Sequence, residues 1–396
     1  MEAVWRLRSR WPMSIVFSAL VAVFVGFAAS VAVVLAAAQA VGATPAQTVS
    51  WIAGLAIAKG LASIWLSWRH RMPIICAWST PGAALIAATS GVDMAAAVGA
   101  FLLAAALMML TAAFRPLGAL IERIPMPIAA AMLAGVIFRF VVAVFDEMRL
   151  SPGLVLPLLA VFLMARLINP FLGVIAALGA GLALSFAGGL ASWPSVGFAL
   201  TGLEFVTPRL DIAAMLGVGV PLYLVTMAAQ NLPGFAVLRA ADFHPPVPSC
   251  LFVTGLTSLL TAPLGAHMVN MAAISASICT GPDTHRDPAQ RWKAGVVYGF
   301  AWLAIAATAG LLLALIVAMP KALIVAVAGL GLVGSLTGAL GQAMSSDRDR
   351  FAAIVTFAVA ASSLSLFGVG SAFWSLVAGL GVLTLDAIAG RLRARS

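Results

Sequence analysis

Two short polar stretches interrupt a sequence that is otherwise almost continuously apolar. One is Trp78-Ser79-Thr80-Pro81-Gly82-Ala83 and the other is Pro263-Leu264-Gly265-Ala266-His267-Met268-Val269-Asn270. Each puts helix breakers and polar groups at membrane depth. Broken backbone is tolerated there only where it is buried in protein or lines a cavity. One such stretch in each half of a chain marks a substrate site between inverted repeats, so a transporter is the function this pattern favours.

The rest of the chain agrees. Hydrophobic residues make up 63% of the 396 and charged residues 9%, against about 25% charged in soluble domains. The stretch from Met13 to about Gly42 is longer than a signal-peptide core and lacks a convincing cleavage site, so it reads as a retained membrane helix. Fourteen apolar spans can be drawn: 13–40, 46–68, 73–90, 93–114, 127–145, 151–168, 170–190, 210–240, 248–262, 264–281, 291–319, 321–343, 351–367 and 370–390. With the N-terminus inside, seventeen Lys and Arg residues fall on cytoplasmic loops. Only Arg149, Arg209 and Lys321 fall outside, and Lys59 and Arg139 lie within spans. This positive-inside bias places both termini in the cytoplasm and explains the net charge of +9 without a nucleic-acid partner. Cys76, Cys250 and Cys279 have no metal-ligand spacing and read as buried thiols.

The chain divides at a Trp/Pro/Gly-containing connector, 191–209. Seven spans per half is an odd number, so the second half enters from the opposite side. Internal echoes support the repeat: Pro81-Gly82-Ala83 with Leu264-Gly265-Ala266, and Ile124-Pro125-Met126-Pro127 with Ala318-Met319-Pro320-Lys321, followed by Gly135 and Gly329. The expected fold is an all-α polytopic membrane protein of about 14 transmembrane spans in two inverted repeats of seven, with broken third and tenth spans. No P-loop, dinucleotide fingerprint or metal motif is present, so no cofactor or metal is expected and an ion gradient must supply any energy. No nucleophile–base constellation of an enzyme is visible either.

In the third span, Thr80 reads as the N-cap and Pro81 as the first residue of a half-helix after an extended approach. Such a terminus directs free backbone N–H groups and a positive dipole end inward, which suits an anion. In the tenth span, Pro263 and Gly265 precede a helical run from His267 to Ile278. His267 is the one histidine within a span and is the candidate for proton coupling; Asn270 lies one turn on. In the eighth span, Gln230-Asn231-Leu232-Pro233-Gly234 reads as two amides beside a helix break, facing substrate, with Tyr223, Thr226 and Met227 on the same element. Lys59 reads as snorkelling or paired with a carboxylate, and Arg139 and Asp386 as scaffold. Apart from Asp211 at its very start, the eighth span contains no Asp or Glu, and the tenth contains none.

The segment from Pro221 to Gly234, with Thr254-Gly255-Leu256-Thr257-Ser258, Ile278-Cys279-Thr280-Gly281-Pro282-Asp283 and Ser79-Thr80-Pro81-Gly82-Ala83-Ala84, resembles the benzoate/proton symporter (BenE-type) family over nearly the whole chain. The resemblance implies uptake of benzoate, or a close aromatic carboxylate, with protons across a bacterial inner membrane. The layout is more distantly similar to uracil and anion transporters. That similarity implies a core domain at 1–114 and 210–319 and a gate domain at 115–190 and 320–396. It also implies that the third and tenth spans meet as short strands followed by half-helices. The nucleobase relatives place substrate-binding glutamates near Gln230 and His267, and their loss here suits an anionic substrate. The expected binding set is Ser79, Thr80, Gly82, Tyr223, Gln230, Asn231, Gly265, His267 and Asn270. A nucleobase or inorganic-anion carrier of the same fold, and a passive anion channel, are the alternatives; homodimerisation is left open.

Overall fold

The computed structural model describes residues 12–28, 30–114, 125–168, 172–193, 201–362, 364, 366 and 371–393. Arg6, Arg8, Arg10, Arg115, Arg123 and Arg395 of the charge count, Ile124 of the repeat echo and residues 194–200 of the connector lie outside them.

Local sequence sets the helix starts. Thr44 and Gln47 form a reciprocal capping box around Pro45, opening helix α3 (Pro45–His70) after α1 (Met13–Ala28) and α2 (Val31–Ala40). Asp93 caps α5 (Met94–Ala113) by accepting the Ala96 N–H, and Asp211 caps the long helix Ile212–Arg239, here α9, by accepting that of Ala214. Between these, α4 (Thr80–Ala87) is a half-helix, and α6 (Met126–Leu150), α7 (Pro152–Ile168) and α8 (Leu172–Ala187) complete the first half. The second half continues with α10 (Val247–Thr261), α11 (Ile274–Thr280), α12 (Trp292–Ala307), α13 (Ala309–Val317), α14 (Lys321–Ala343), α15 (Arg350–Ala361) and α16 (Ser371–Arg393).

Among the described residues, seven helical stretches are long and apolar enough to cross a bilayer, or eight if the pair bent by 69° at Thr308 is one span. The remaining apolar stretches form shorter helices or broken elements, so the expected fourteen do not all appear as full-length helices. The fold is also not purely helical. Strands β1 (Cys76–Trp78) and β2 (Val269–Met271) pair antiparallel, with Cys76 opposite Met271 and Trp78 opposite Val269. The eighth stretch departs from expectation too. It has no break at Pro233-Gly234, because wide π-type turns at Met215–Gly219 and Met227–Asn231 precede Pro221 and Pro233. Each wide turn takes up the helical hydrogen bond that proline cannot donate.

Packing pairs elements from the two halves. α3 lies on α12, α5 on α10, and α6 on α14 and α15. Gly135 and Gly329 explain the last of these: a Cβ on Gly135 would come within 2.6 Å of the Phe357 carbonyl, and one on Gly329 would strike Phe140 and Val144. The main core runs through Trp51, Trp78, Phe101 and Trp302, and a second joins Val144, Leu158, Phe162, Leu323 and Ala326. Two of the three cations expected on the far side are in ion pairs, Arg209 with Asp93 at 2.8 Å and Lys321 with Glu147 at 3.3 Å.

Candidate functional site

A two-stranded ribbon alone is marginal, and at membrane depth its outer backbone groups must find partners within the protein. Side chains from four helices supply them. Ser63 of α3 accepts the Cys76 N–H at 2.9 Å, Ser258 of α10 accepts that of Val269 at 2.8 Å, and Asn231 of α9 accepts that of Met271 at 2.9 Å. The Tyr298 hydroxyl donates to the Cys76 carbonyl at 3.0 Å. The ladder extends past the strands through Ser79 N–H to Met268 O and Ala272 N–H to Ile75 O.

The half-helix α4 starts one residue earlier than expected. Ser79, not Thr80, is its cap: Ser79 Oγ accepts the Gly82 N–H at 3.1 Å and lies 2.8 Å from Thr226 Oγ1. Pro81 has no N–H, and Ala83 donates to the Ser79 carbonyl. Thr80 is therefore the residue at this helix start whose N–H has no partner within the helix, and the residue lines a cavity. In the second half the difference is larger. His267 lies in the irregular segment before β2 and Asn270 in β2 itself, and the helix begins only at Ile274, so the helical run expected from His267 is displaced by seven residues. Gly265, with φ of +91°, turns the chain from α10 into the ribbon against Trp51 and Met94, a conformation that makes room for no side chain.

The cavity encloses about 360 Å³, the size of a small-molecule site. One wall is Leu133 of α6 with Gly331, Leu332, Gly338, Ala339 and Gln342 of α14. The other carries Lys59, Trp78, Thr80, Gln230, Ser275 and Tyr298. Lys59 is 1% exposed, and its Nζ lies 3.3 Å from the centre of the Trp78 ring and 3.0 Å from that of Trp302, well inside cation–π range. Trp78 is itself held by Nε1 donating to Ser30 Oγ at 2.7 Å. Among the described residues no carboxylate lies in ion-pair range of Lys59. The sequence suggested snorkelling or pairing with an acid; instead the Lys59 ammonium rests on two indole faces, and the residue lines the cavity.

Of the nine residues expected to bind substrate, Thr80 and Gln230 line the cavity, and Asn270 stands behind them, donating to Gln230 Oε1 at 3.3 Å. The other six do not line it. Ser79 caps α4, Gly82 lets Leu222 of α9 approach, Tyr223 bonds Thr111, Asn231 secures β2 and Gly265 makes the turn. His267 is fully buried. Its Nδ1 accepts the Trp51 indole N–H at 3.0 Å, which leaves the proton of the neutral ring on Nε2, 2.9 Å from the Ser79 carbonyl. Sequence reasoning missed Trp78, Tyr298, Ser275 and Gln342. Lys59 was visible as an intramembrane charge, but nothing in its neighbourhood in sequence indicated two indole rings. Arg139 and Asp146 line a separate concavity on α6, and Asp386 is exposed.

The sequence model of a family described as BenE, benzoate membrane transport protein, matches residues 9–385. The chain is 38% identical to the inner membrane protein YdcO of Escherichia coli (strain K12) over 96% of its length and 98% of that protein. It is 30% identical to the benzoate membrane transport protein of Acinetobacter baylyi over 94% and 95% of the two chains. Its fold is similar to the transmembrane domain of a cyanobacterium bicarbonate transporter, BicA (TM-score 0.58, 14% identity, 88% of this chain and 97% of that one). It is also similar to SLC26A9 (TM-score 0.66, 11% identity, 97% and 67%). This polytopic, mostly helical chain thus belongs to the benzoate membrane transport protein family.

Proposed function

We propose that this protein imports benzoate, or a closely related aromatic carboxylate, together with protons across a bacterial inner membrane. The observation that carries this reading is the mixed chemistry of one cavity lining. It is largely apolar and aromatic, through Leu133, Leu332, Trp78 and Tyr298, and it also holds Lys59, Thr80 and Gln230. The ring suits the apolar lining, and the carboxylate suits the polar residues through charge-assisted hydrogen bonds. A fixed Asp or Glu there would repel the substrate, and none lines the cavity among the described residues.

Transport follows an alternating-access scheme in which the fourteen stretches act as two inverted repeats. A core unit at 1–114 and 210–319 carries the ribbon, Lys59 and both half-helices. It moves against a gate unit at 115–190 and 320–396 that supplies the α6 and α14 wall. Both termini are cytoplasmic in this scheme.

The test is uptake of labelled benzoate into proteoliposomes with and without an inward proton gradient, in the presence of unlabelled benzoate, uracil, bicarbonate or sulfate. Gradient-driven accumulation blocked by benzoate alone is the expected result. Flux without saturation or counterflow would mean a channel, and competition by uracil or an inorganic ion instead would reassign the substrate.

A further inference from the structure

We propose that Lys59 carries the coupled proton, so that the ammonium that holds the substrate is also the group that takes up and releases H⁺. This rests on the benzoate reading above.

Only two titratable side chains line the cavity among the described residues, Lys59 and Tyr298. The Tyr298 hydroxyl donates to the Cys76 carbonyl and serves the ribbon. The other titratable groups close to Lys59 are the buried thiol of Cys76 on β1 and the imidazole of His267 beyond it. His267 lies outside the cavity lining, with both ring nitrogens in hydrogen bonds. α14 and α9 present only the amides of Gln342 and Gln230 to the cavity, and α2 presents the hydroxyl-bonded edge of Trp78 through Ser30. Among the described residues, Lys59 therefore has no permanent anionic partner.

An ammonium buried without a carboxylate is costly, and the faces of two indoles offset only part of that cost. A bound benzoate supplies the missing negative charge and makes the loaded site neutral, which lets it cross. When benzoate leaves, the charge is again uncompensated. Lys59 then transfers one proton from Nζ to the water that enters in its place, and returns as a neutral amine. One cycle moves one carboxylate and one proton inward and no net charge. Lysine suits this role because it can lose its proton when desolvated, whereas arginine keeps its charge.

Two measurements test the assignment. In the first, benzoate is added to purified wild-type protein in weakly buffered detergent solution containing a pH indicator, over a range of about pH 6 to 9. Uptake of up to about one proton per benzoate bound is expected, because binding favours the charged amine. No proton uptake at any pH overturns the proposal. In the second, Lys59→Arg and Lys59→Gln proteins are compared with wild type in proteoliposomes. Lys59→Arg is expected to retain benzoate counterflow at reduced rate, because only the loaded carrier moves in exchange, while losing accumulation driven by a proton gradient. Lys59→Gln is expected to lose both. Gradient-driven accumulation by either variant at the wild-type level overturns the proposal. Failure of the wild-type protein to take up benzoate would instead strike the substrate reading. If neither variant folds, the proton measurement on the wild-type protein decides.

Discussion

The indole N–H of Trp51 on α3 donates to Nδ1 of His267 at 3.0 Å, and this single bond ties the first half of the chain to the turn that leads into β2. On the other side of the ring, His267 meets the carbonyl of Ser79 at the start of α4. The histidine therefore stands between a helix, a half-helix and the ribbon, with no open position.

Replacing His267 by Ala leaves the Trp51 N–H unpaired in the interior, takes one of two donors from the Ser79 carbonyl and opens a void. The expected loss is about 2–4 kcal/mol of stability, read as a lower melting temperature in detergent. His267→Gln, which keeps a donor and an acceptor, recovers part of it. Any folded His267 variant keeps the proton-to-benzoate ratio of the wild type.

Asn231 secures the ribbon, its Oδ1 accepting the Met271 N–H. Asn231→Leu strands the Met271 N–H, and Ser258→Ala does the same to that of Val269. Each is expected to cost about 1–3 kcal/mol, and hydrogen exchange at the affected strand amide will rise in each variant.

The crossing of α6 and α14 has no room at Gly329, where a side chain would run into Phe140 and Val144. Gly329→Val is expected to destabilise by about 1–3 kcal/mol or more, seen as a loss of monodisperse protein in size-exclusion chromatography.

Gly338 is the opposite case. It lines the cavity, and a Cβ there meets nothing within 4 Å. Gly338→Leu should leave the melting temperature near that of the wild type while shrinking the substrate slot. A KM for benzoate raised about tenfold, equivalent to ~1.4 kcal/mol, is the expected outcome, with a larger rise for para-substituted rings.

Asp93 lies outside the membrane-spanning segments. The Ala96 N–H it accepts, together with the Arg209 guanidinium, holds its carboxyl below the usual carboxylate range. A depressed folded-state value means stability that is present above the ordinary Asp range and is lost as pH falls through the folded value. Asp93→Asn keeps a capping oxygen but removes the charge. Its melting temperature should sit slightly below wild type at neutral pH, and the gap should close in acid, below the ordinary value of about 3.9.

Much of this organisation was legible along the chain. Apolar runs separated by charged loops announced a membrane protein, since water cannot satisfy a surface with so few charges. The Thr80-Pro81-Gly82 and Pro263-Leu264-Gly265 stretches announced broken elements, because proline and glycine act on the backbone of their own residue and its neighbours. The family was legible for the same reason, in short contiguous motifs. Tertiary structure alone decided which polar groups line the cavity. Asn231 and His267 are polar residues in apolar sequence, as Gln230 is, yet the ribbon's unpaired N–H groups and the Trp51 indole claim the first two and leave the third to the cavity. Lys59 is nineteen residues from Trp78 and over two hundred from Trp302 in sequence, and the three meet only because α12 packs on α3 and the ribbon lies beside both. Sequence thus settled what had to be buried, since burial follows from composition and local backbone chemistry. Which buried groups satisfy one another depends on long-range packing that no local pattern encodes.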